Sequence, residues 1–354
     1  MDELKTLTPL LAALGFSLGD KQLYVSGERY LMSGGKLVLA GTRDTDGADV
    51  IIKASKSPAG IQEIESEKNA RDLMQSLSFA DKKIKIPEEL YFGHGAGYVI
   101  LIMRFIPQDV VFAARDLEEQ FFIALNAFES QESFHATTFE HTRAIKKVFP
   151  ILSSSDYAHE FSRLSLSIEE KYPNTDLAQL LAEGENLLKK NQDTIDRHGS
   201  YLTHTDFVPH NFRLEGRTIY MLDCVPNYAT VHFGNKYEGW ARFLNYMAIH
   251  SPALERLLVE YIRTNRGEDE YLSLRLMRVY KIAFLLEFYA RALVKTTGDL
   301  HELTKARLTY WTAMLRATLY DQPLPEEVTH AYVAIRDRLR TTEEKERQRD
   351  FAIA

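Results

Sequence analysis

The chain of 354 residues has one cysteine, two tryptophans and no excess of positive charge. It also has no apolar run near the roughly 18 residues that read as a membrane span. Each shortage excludes something. A single cysteine, Cys224, rules out an internal disulfide and any multi-cysteine metal centre, as a reducing cytosol permits. The ordinary role for such a residue is that of a small buried hydrophobe. With 43 lysines and arginines against 50 aspartates and glutamates, net charge −7, nothing global favours nucleic acid or an anionic membrane as partner. The start, Met1-Asp2-Glu3-Leu4-Lys5, is acidic and leads into Leu4, Leu7, Leu10, Leu11 and Leu14, an amphipathic helix pattern unlike a secretion signal. The expectation is a cytoplasmic protein without nucleic-acid or membrane partners. No repeat of fixed period occurs, and the charged stretch 341–350 reads as a solvated helix end.

What is present is ordinary globular material, 45% hydrophobic and 26% charged, long enough for about two lobes. After the opening helix, Leu23-Tyr24-Val25, Arg29-Tyr30-Leu31-Met32, Lys36-Leu37-Val38-Leu39-Ala40 and Val50-Ile51-Ile52-Lys53 read as strands separated by glycine and aspartate turns. A helix follows from about Ala59 to Leu77, then strands Glu89-Leu90-Tyr91-Phe92 and Tyr98 to Met103. From Pro107 the pattern turns helical, over roughly 115–139, 155–170, 176–197, 236–249, 252–265, 268–296, 299–320 and 324–341, with a short strand region at 201–223. This predicts an α+β chain: an antiparallel-sheet lobe with one main helix over 1–105, and a larger, mainly helical lobe over 106–354.

The chemistry concentrates in His204-Thr205-Asp206-Phe207-Val208-Pro209-His210-Asn211 and the following Tyr220-Met221-Leu222-Asp223. Asp206 and Asn211 lie five positions apart around a loop broken by Pro209, so their side chains are free to point at one centre. Asp223 comes seventeen positions after Asp206, beyond a Glu215-Gly216 turn, where the apolar strand Ile219-Tyr220-Met221-Leu222 ends in a carboxylate. Phosphoryl transfer needs an acceptor hydroxyl beside a carboxylate and metal ions that neutralise the phosphates. Asp206 suits the first role; Asn211 and Asp223, hard oxygen donors, suit a magnesium that keeps several waters. Asp, Pro and Asn in sequence are equally ordinary turn chemistry, and His204 equally a buried hydrogen-bonding residue.

Upstream lie residues that suit a nucleotide. Gly34 and Gly35, in Ser33-Gly34-Gly35-Lys36, let backbone amides approach phosphates, or simply turn a hairpin. Lys53 closes an apolar strand and must either snorkel outward or meet an anion. Glu67 lies on the helical face of Ala70, Leu73, Met74 and Leu77, and a carboxylate on a packed face calls for a cation. The connector Met103-Arg104-Phe105-Ile106 offers apolar walls and backbone groups to a flat base, or serves as a plain linker.

Lysine on a third strand, glutamate on the next helix, an apolar connector, His-x-Asp with five positions to Asn, then a strand-end Asp: over about residues 20–250 this order resembles the aminoglycoside phosphotransferase and choline kinase group of the protein-kinase-like fold. Phe134-His135 also looks like that group's helix end before the catalytic half. The resemblance implies a small-molecule kinase using ATP, with GTP as the alternative, and Mg2+, acting on a hydroxyl of an aminoglycoside-, choline- or sugar-like acceptor. It implies that Lys53 contacts the α- and β-phosphates, that Glu67 orients Lys53, and that Gly34, Gly35, Met103 and Phe105 line the nucleotide. Asp206 would accept or orient the acceptor's proton, Asn211 and Asp223 would hold the metal, and His204 would brace the loop. The chain departs from the group at Cys224-Val225, where Trp and an acidic residue are common, and at Glu238, where Asp is usual. A catalytically silent nucleotide-binding or scaffold protein is the alternative. A protein kinase ranks lower, since no Asp-Phe-Gly or Ala-Pro-Glu landmark follows Asp223.

Overall fold

A computed structural model describes residues 2–19, 35–77, 84–108, 110–136, 138–216, 218–227 and 230–341. The expected strands at Leu23 to Val25 and Arg29 to Met32, together with Gly34, lie outside the described residues. Along the chain run α1 (Asp2–Ala13), β1 (Phe16–Leu18), β2 (Leu37–Arg43), β3 (Asp49–Ser55), α2 (Pro58–Ser76), β4 (Ile84–Lys85), β5 (Glu89–Gly95) and β6 (Tyr98–Arg104). Then come α3 (Leu117–Glu132), α4 (Phe139–Ile145), α5 (Ser154–Lys171), α6 (Thr175–Lys190), α7 (Gln192–Arg197), β7 (Tyr201–His204), β8 (Phe212–Glu215), β9 (Thr218–Met221) and β10 (Val231–Gly234). Five helices complete the described chain: α8 (Tyr237–His250), α9 (Pro252–Asn265), α10 (Glu268–Leu293), α11 (Gly298–Leu319) and α12 (Glu326–Leu339).

These elements form two compact units, the first made of Met1–Asp109, Thr138–Pro150 and His210–Val231. Its main sheet is antiparallel in the order β1-β2-β3-β6-β5. Strand alternation sorts the side chains. Leu37, Leu39, Val50, Ile52 and Ala54 pack with Leu7 and Leu11 of α1 on one face, and Ile51 joins Ile64 of α2, Val99, Leu101 and Met103 on the other. Helix α2 starts where Ser57 accepts a hydrogen bond from Gly60 N at 3.2 Å with Pro58 in the first turn. The β8–β9 hairpin belongs to this unit too: β9 pairs with β4 in parallel, and Arg104 donates to both Glu215 carboxylate oxygens at 2.8 Å. Residues far past 105 thus join the sheet unit, because the Arg104 fork and the β4 pairing hold the hairpin there.

The second unit comprises Val110–Thr137, Ile151–Pro209 and His232–Ala354. Its described part is helical apart from the small β7/β10 sheet. Helix α10 is its centre, burying Leu276, Met277, Tyr280 and Ala283 among α5, α8 and α11. Two boundaries differ from the periodicity. The helix expected over 115–139 stops at Glu132, and Phe134 and His135 lie beyond it, with the His135 ring stacked 4.1 Å from Tyr201. The helix expected over 176–197 breaks at Asn191, whose side-chain amide bonds back to Leu187 O at 2.7 Å, leaving α6 and α7. No helix of the described residues is long and apolar enough to cross a membrane.

Candidate active site

In the first unit the apolar face of α2 carries one carboxylate. Glu67 is fully buried, and Lys53 Nζ, itself nearly buried on β3, stands 2.6 Å from its Oε2 and 3.2 Å from Asp223 Oδ1. Burial opposes the Lys53 charge, but the carboxylates of Glu67 and Asp223 overcome it and raise the ammonium's pKa. Burial likewise opposes the Glu67 charge; Lys53 and Arg71 outweigh it and hold the carboxyl below its ordinary value.

Two further cations complete this group. Lys36, 2% exposed, reaches Glu63 Oε1 at 2.5 Å and Asp223 Oδ1 at 3.2 Å. Arg71, also buried, lies 3.5 Å from Glu67 Oε1 and donates to Pro87 O at 2.8 Å. Sequence reasoning gave neither a role, though both left a trace. Alternation places Lys36 and Lys53 on the strand face opposite α1, and Arg71 follows Glu67 by one helical turn.

Gly35 has φ +86°, a left-handed conformation open to glycine, and its carbonyl accepts from the hydroxyls of Ser55 (2.7 Å) and Ser57 (3.1 Å). Met103 lies buried on β6 beside Arg71, opposite Ile51. The Phe105 N–H donates to Asp49 O at 3.0 Å, and the Arg104 N–H to Glu88 O at 2.9 Å.

The β8–β9 hairpin brings Asn211 and Asp223 to one end. Leu222 N donates to Asn211 O at 2.9 Å, immediately beyond the Phe212–Met221 pair. Asp223 then takes φ +54°, uncommon for a residue with a side chain, while its carbonyl accepts from Val225 N at 2.9 Å. Its side chain is 42% exposed. Cys224 beside it is buried, its thiol pushed up to about 12 by that burial, so no thiolate faces the group. Asp223, with Asn211 at the same end of the hairpin, offers the hard oxygen chemistry that suits magnesium, and the buried ammoniums beside Asp223 suit phosphate oxygens.

In the second unit Asp206 follows β7. His204 is fully buried, its amide donating to Gln131 Oε1 at 3.4 Å and its carbonyl accepting from Phe207 N at 3.2 Å, which fixes the loop's entry. The Asp206 side chain is 40% exposed and takes a charged fork from Arg242 of α8, Nε at 3.0 Å and Nη2 at 2.9 Å from Oδ1. Arg242 carried no sequence signal, because a charged position on a helix usually marks a solvated face.

Beneath this loop Glu238 is fully buried. It accepts from Tyr157 OH at 2.8 Å and Lys281 Nζ at 3.2 Å, with His232 Nε2 also at 2.8 Å. Burial pushes its carboxyl up, but His232 and Lys281 outweigh this and bring it down to about 2. A Cβ on Gly239 would come 3.0 Å from His204 O, so the start of α8 packs directly beneath the loop.

No protein-family model and no curated protein matches the chain. Solved structures do. Aminoglycoside 2'-phosphotransferase-IIIa in its GDP complex superposes with TM-score 0.58 at 13% identity, covering 88% of this chain and 98% of that one. A thermostable mutant of aminoglycoside phosphotransferase APH(4)-Ia, in ternary complex with ADP and hygromycin B, gives 0.55 at 16% identity, covering 89% and 97%. Macrolide 2'-phosphotransferase MphH from Brachybacterium faecium gives 0.54 at 13%, covering 86% and 97%. Identities this low speak to architecture, and by architecture the chain has the α+β, protein-kinase-like fold of the aminoglycoside and macrolide phosphotransferases.

Proposed function

We propose that this chain is a cytoplasmic kinase of small molecules, moving the terminal phosphoryl group of ATP or GTP to an acceptor hydroxyl with Mg2+. The observation that carries the reading is the buried Lys53 ammonium held between Glu67 and Asp223. A fold gains little stability from a buried ion pair that an apolar pair would not give, whereas a nucleotide site needs a fixed cation with a metal-binding carboxylate beside it. The ADP and GDP complexes of the structural neighbours support a nucleotide donor.

When bound, the metal nucleotide supplies the transferable group and the charge that offsets it. The chain's own residues position it. Lys53 would contact the α- and β-phosphates, with Glu67 and Arg71 fixing the ammonium from behind. Asn211 and Asp223 would hold the magnesium, and the backbone at Gly34 and Gly35 would approach the phosphates. Met103 and Phe105 would wall the base, and since the Arg104 and Phe105 amides already serve Glu88 and Asp49, the next donor on the connector is Ile106 N–H. Asp206, held by the Arg242 fork, would orient the acceptor hydroxyl and take its proton.

Thermal unfolding with millimolar ATP, with and without Mg2+, tests the nucleotide part. A ligand at 100 times its Kd that binds only the folded state stabilises by about 2.7 kcal/mol. A magnesium-dependent rise in Tm is expected; no shift would favour a silent scaffold.

A further inference from the structure

We propose that Lys36 is a second phosphate-binding lysine that keeps bare magnesium off Asp223, so that the metal enters the site as its nucleotide complex and not alone. The inference deepens the kinase reading and rests on it for the identity of the anion.

The strand register aims Lys36 and Lys53 at one target. Val38 and Lys53 are paired directly across β2 and β3, and Lys36 lies two positions before Val38, so the two lysines are diagonal neighbours on one face of the sheet. Helix α2 offers each a carboxylate, Glu63 and Glu67, one turn apart. Lys36 Nζ lies 2.5 Å from Glu63 Oε1, and Lys53 Nζ 2.6 Å from Glu67 Oε2. Both ammoniums then come within 3.2 Å of the same atom, Asp223 Oδ1. The backbone just before Lys36 is pinned as well. Gly35 O accepts from the hydroxyls of Ser55 and Ser57, and Ser57 also caps α2, which ties Lys36 to the start of the helix that carries Glu63.

Burial sets Lys36 apart from its partners. Its side chain is 2% exposed, against 24% for Glu63 and 42% for Asp223. A lysine that served Glu63 alone could do so from the surface, whereas an ammonium taken out of water costs stability that its ion pairs offset only in part. Lys36, Lys53 and Arg71 set against Glu63, Glu67 and Asp223 carry no net charge. A bare divalent ion arriving at Asp223 therefore meets a carboxylate already shared by two ammoniums, and like charges repel strongly where bulk water is thin. Phosphate oxygens change that balance by giving the ammoniums another partner. Lys36 can turn from Asp223 to a phosphate on its flexible stem while Glu67 keeps Lys53 in place, and Oδ1 is then open to the metal that accompanies the nucleotide. Metal and nucleotide affinities are thereby coupled, each raising the other by the same factor.

The test follows Mn2+ by electron paramagnetic resonance, alone and with the β,γ-imido analogue of ATP, and titrates that analogue separately in EDTA. Lys36→Met should bind Mn2+ alone at least tenfold more tightly than wild type and the metal-free analogue at least tenfold more weakly, so that the factor by which nucleotide raises metal affinity falls. Glu63→Gln breaks the same 2.5 Å ion pair but keeps the ammonium. It should leave Mn2+ binding as weak as in wild type and analogue binding no weaker. Tm recorded for each variant shows that it is folded. Unchanged Mn2+ binding in Lys36→Met, both affinities moving in one direction, or Glu63→Gln behaving like Lys36→Met overturns the proposal, the last because it would make the ion pair merely structural. Tighter Mn2+ binding in Lys36→Met with no analogue binding to wild type would support the exclusion of bare metal and count against the kinase reading.

Discussion

Lys53 Nζ lies 2.6 Å from Glu67 Oε2, the carboxylate fully buried and the ammonium nearly so. Removing one member strands the other in a low-dielectric interior, at a cost of about 3–5 kcal/mol for such pairs. Glu67→Gln should therefore lower unfolding stability by roughly 3 kcal/mol, measured by urea denaturation. Lys53→Met should cost a similar amount, because Glu67 keeps Arg71 at 3.5 Å just as Lys53 in the first variant keeps Asp223 at 3.2 Å. A loss for Lys53→Met well above that for Glu67→Gln would mean that Arg71 does not share the charge.

The pair also fixes the direction of a pH effect. Lys53 has its pKa raised, so its contribution is complete below the ordinary lysine value of 10.5 and fades as pH rises through the folded value. Glu238, depressed from 4.5 to about 2, contributes above pH 4.5 and is lost as pH falls toward 2. Glu238→Gln should destabilise the protein at neutral pH and flatten the fall in stability over that acid window. An unchanged acid limb, followed by urea midpoint against pH, would show that the Lys281 and His232 contacts are not what holds the carboxylate.

His250 acts in the opposite sense to a paired histidine. Its folded pKa is lowered from 6.5 to about 3, so the unfolded chain takes up the proton first and stability falls as pH drops below 6.5. His250→Gln should shift the acid unfolding midpoint downward, with a gain on the order of 2 kcal/mol at pH 4. A variant that tracks wild type from pH 7 to 4 would contradict the buried, neutral imidazole.

Gly60 sits where β3 meets α2. A Cβ there would come 2.2 Å from Ser55 Oγ and 2.5 Å from Gly35 O, and the second contact is backbone. Gly60→Ala should cost about 1–3 kcal/mol and weaken nucleotide binding, because relief would displace Gly35. Calorimetry with and without ATP separates the two effects; a stable variant with unchanged nucleotide affinity would remove Gly35 from the phosphate site.

The amphipathic opening, the strands at 37–43, 49–55 and 98–104, and the long helices were legible because short apolar runs bounded by turn residues mark the strands and helical periodicity marks the helices. Glu67 was legible for the same reason, as a carboxylate on an apolar stripe. Helix breaks at Glu132 and Asn191 were not, since the Ser133 hydroxyl and the Asn191 amide bond back to Ser130 O and Leu187 O, local contacts that a hydrophobic pattern does not register. The grouping of the β8–β9 hairpin with the sheet unit depends on Arg104 meeting Glu215, 111 positions away. Arg242 on Asp206 is of the same kind, a pairing of residues 36 positions apart.

The most direct measurement is nucleotide-dependent phosphate transfer to the best acceptor by wild type, Asp206→Ala and Asp223→Ala, with Tm and magnesium-nucleotide shift recorded for each. Both side chains are about two-fifths exposed, so both variants should fold. Asp206→Ala should lose roughly 10²–10⁴-fold in rate while keeping the nucleotide shift, and Asp223→Ala should lose transfer and the magnesium-dependent part of the shift together. Full transfer in either folded variant would contradict the account.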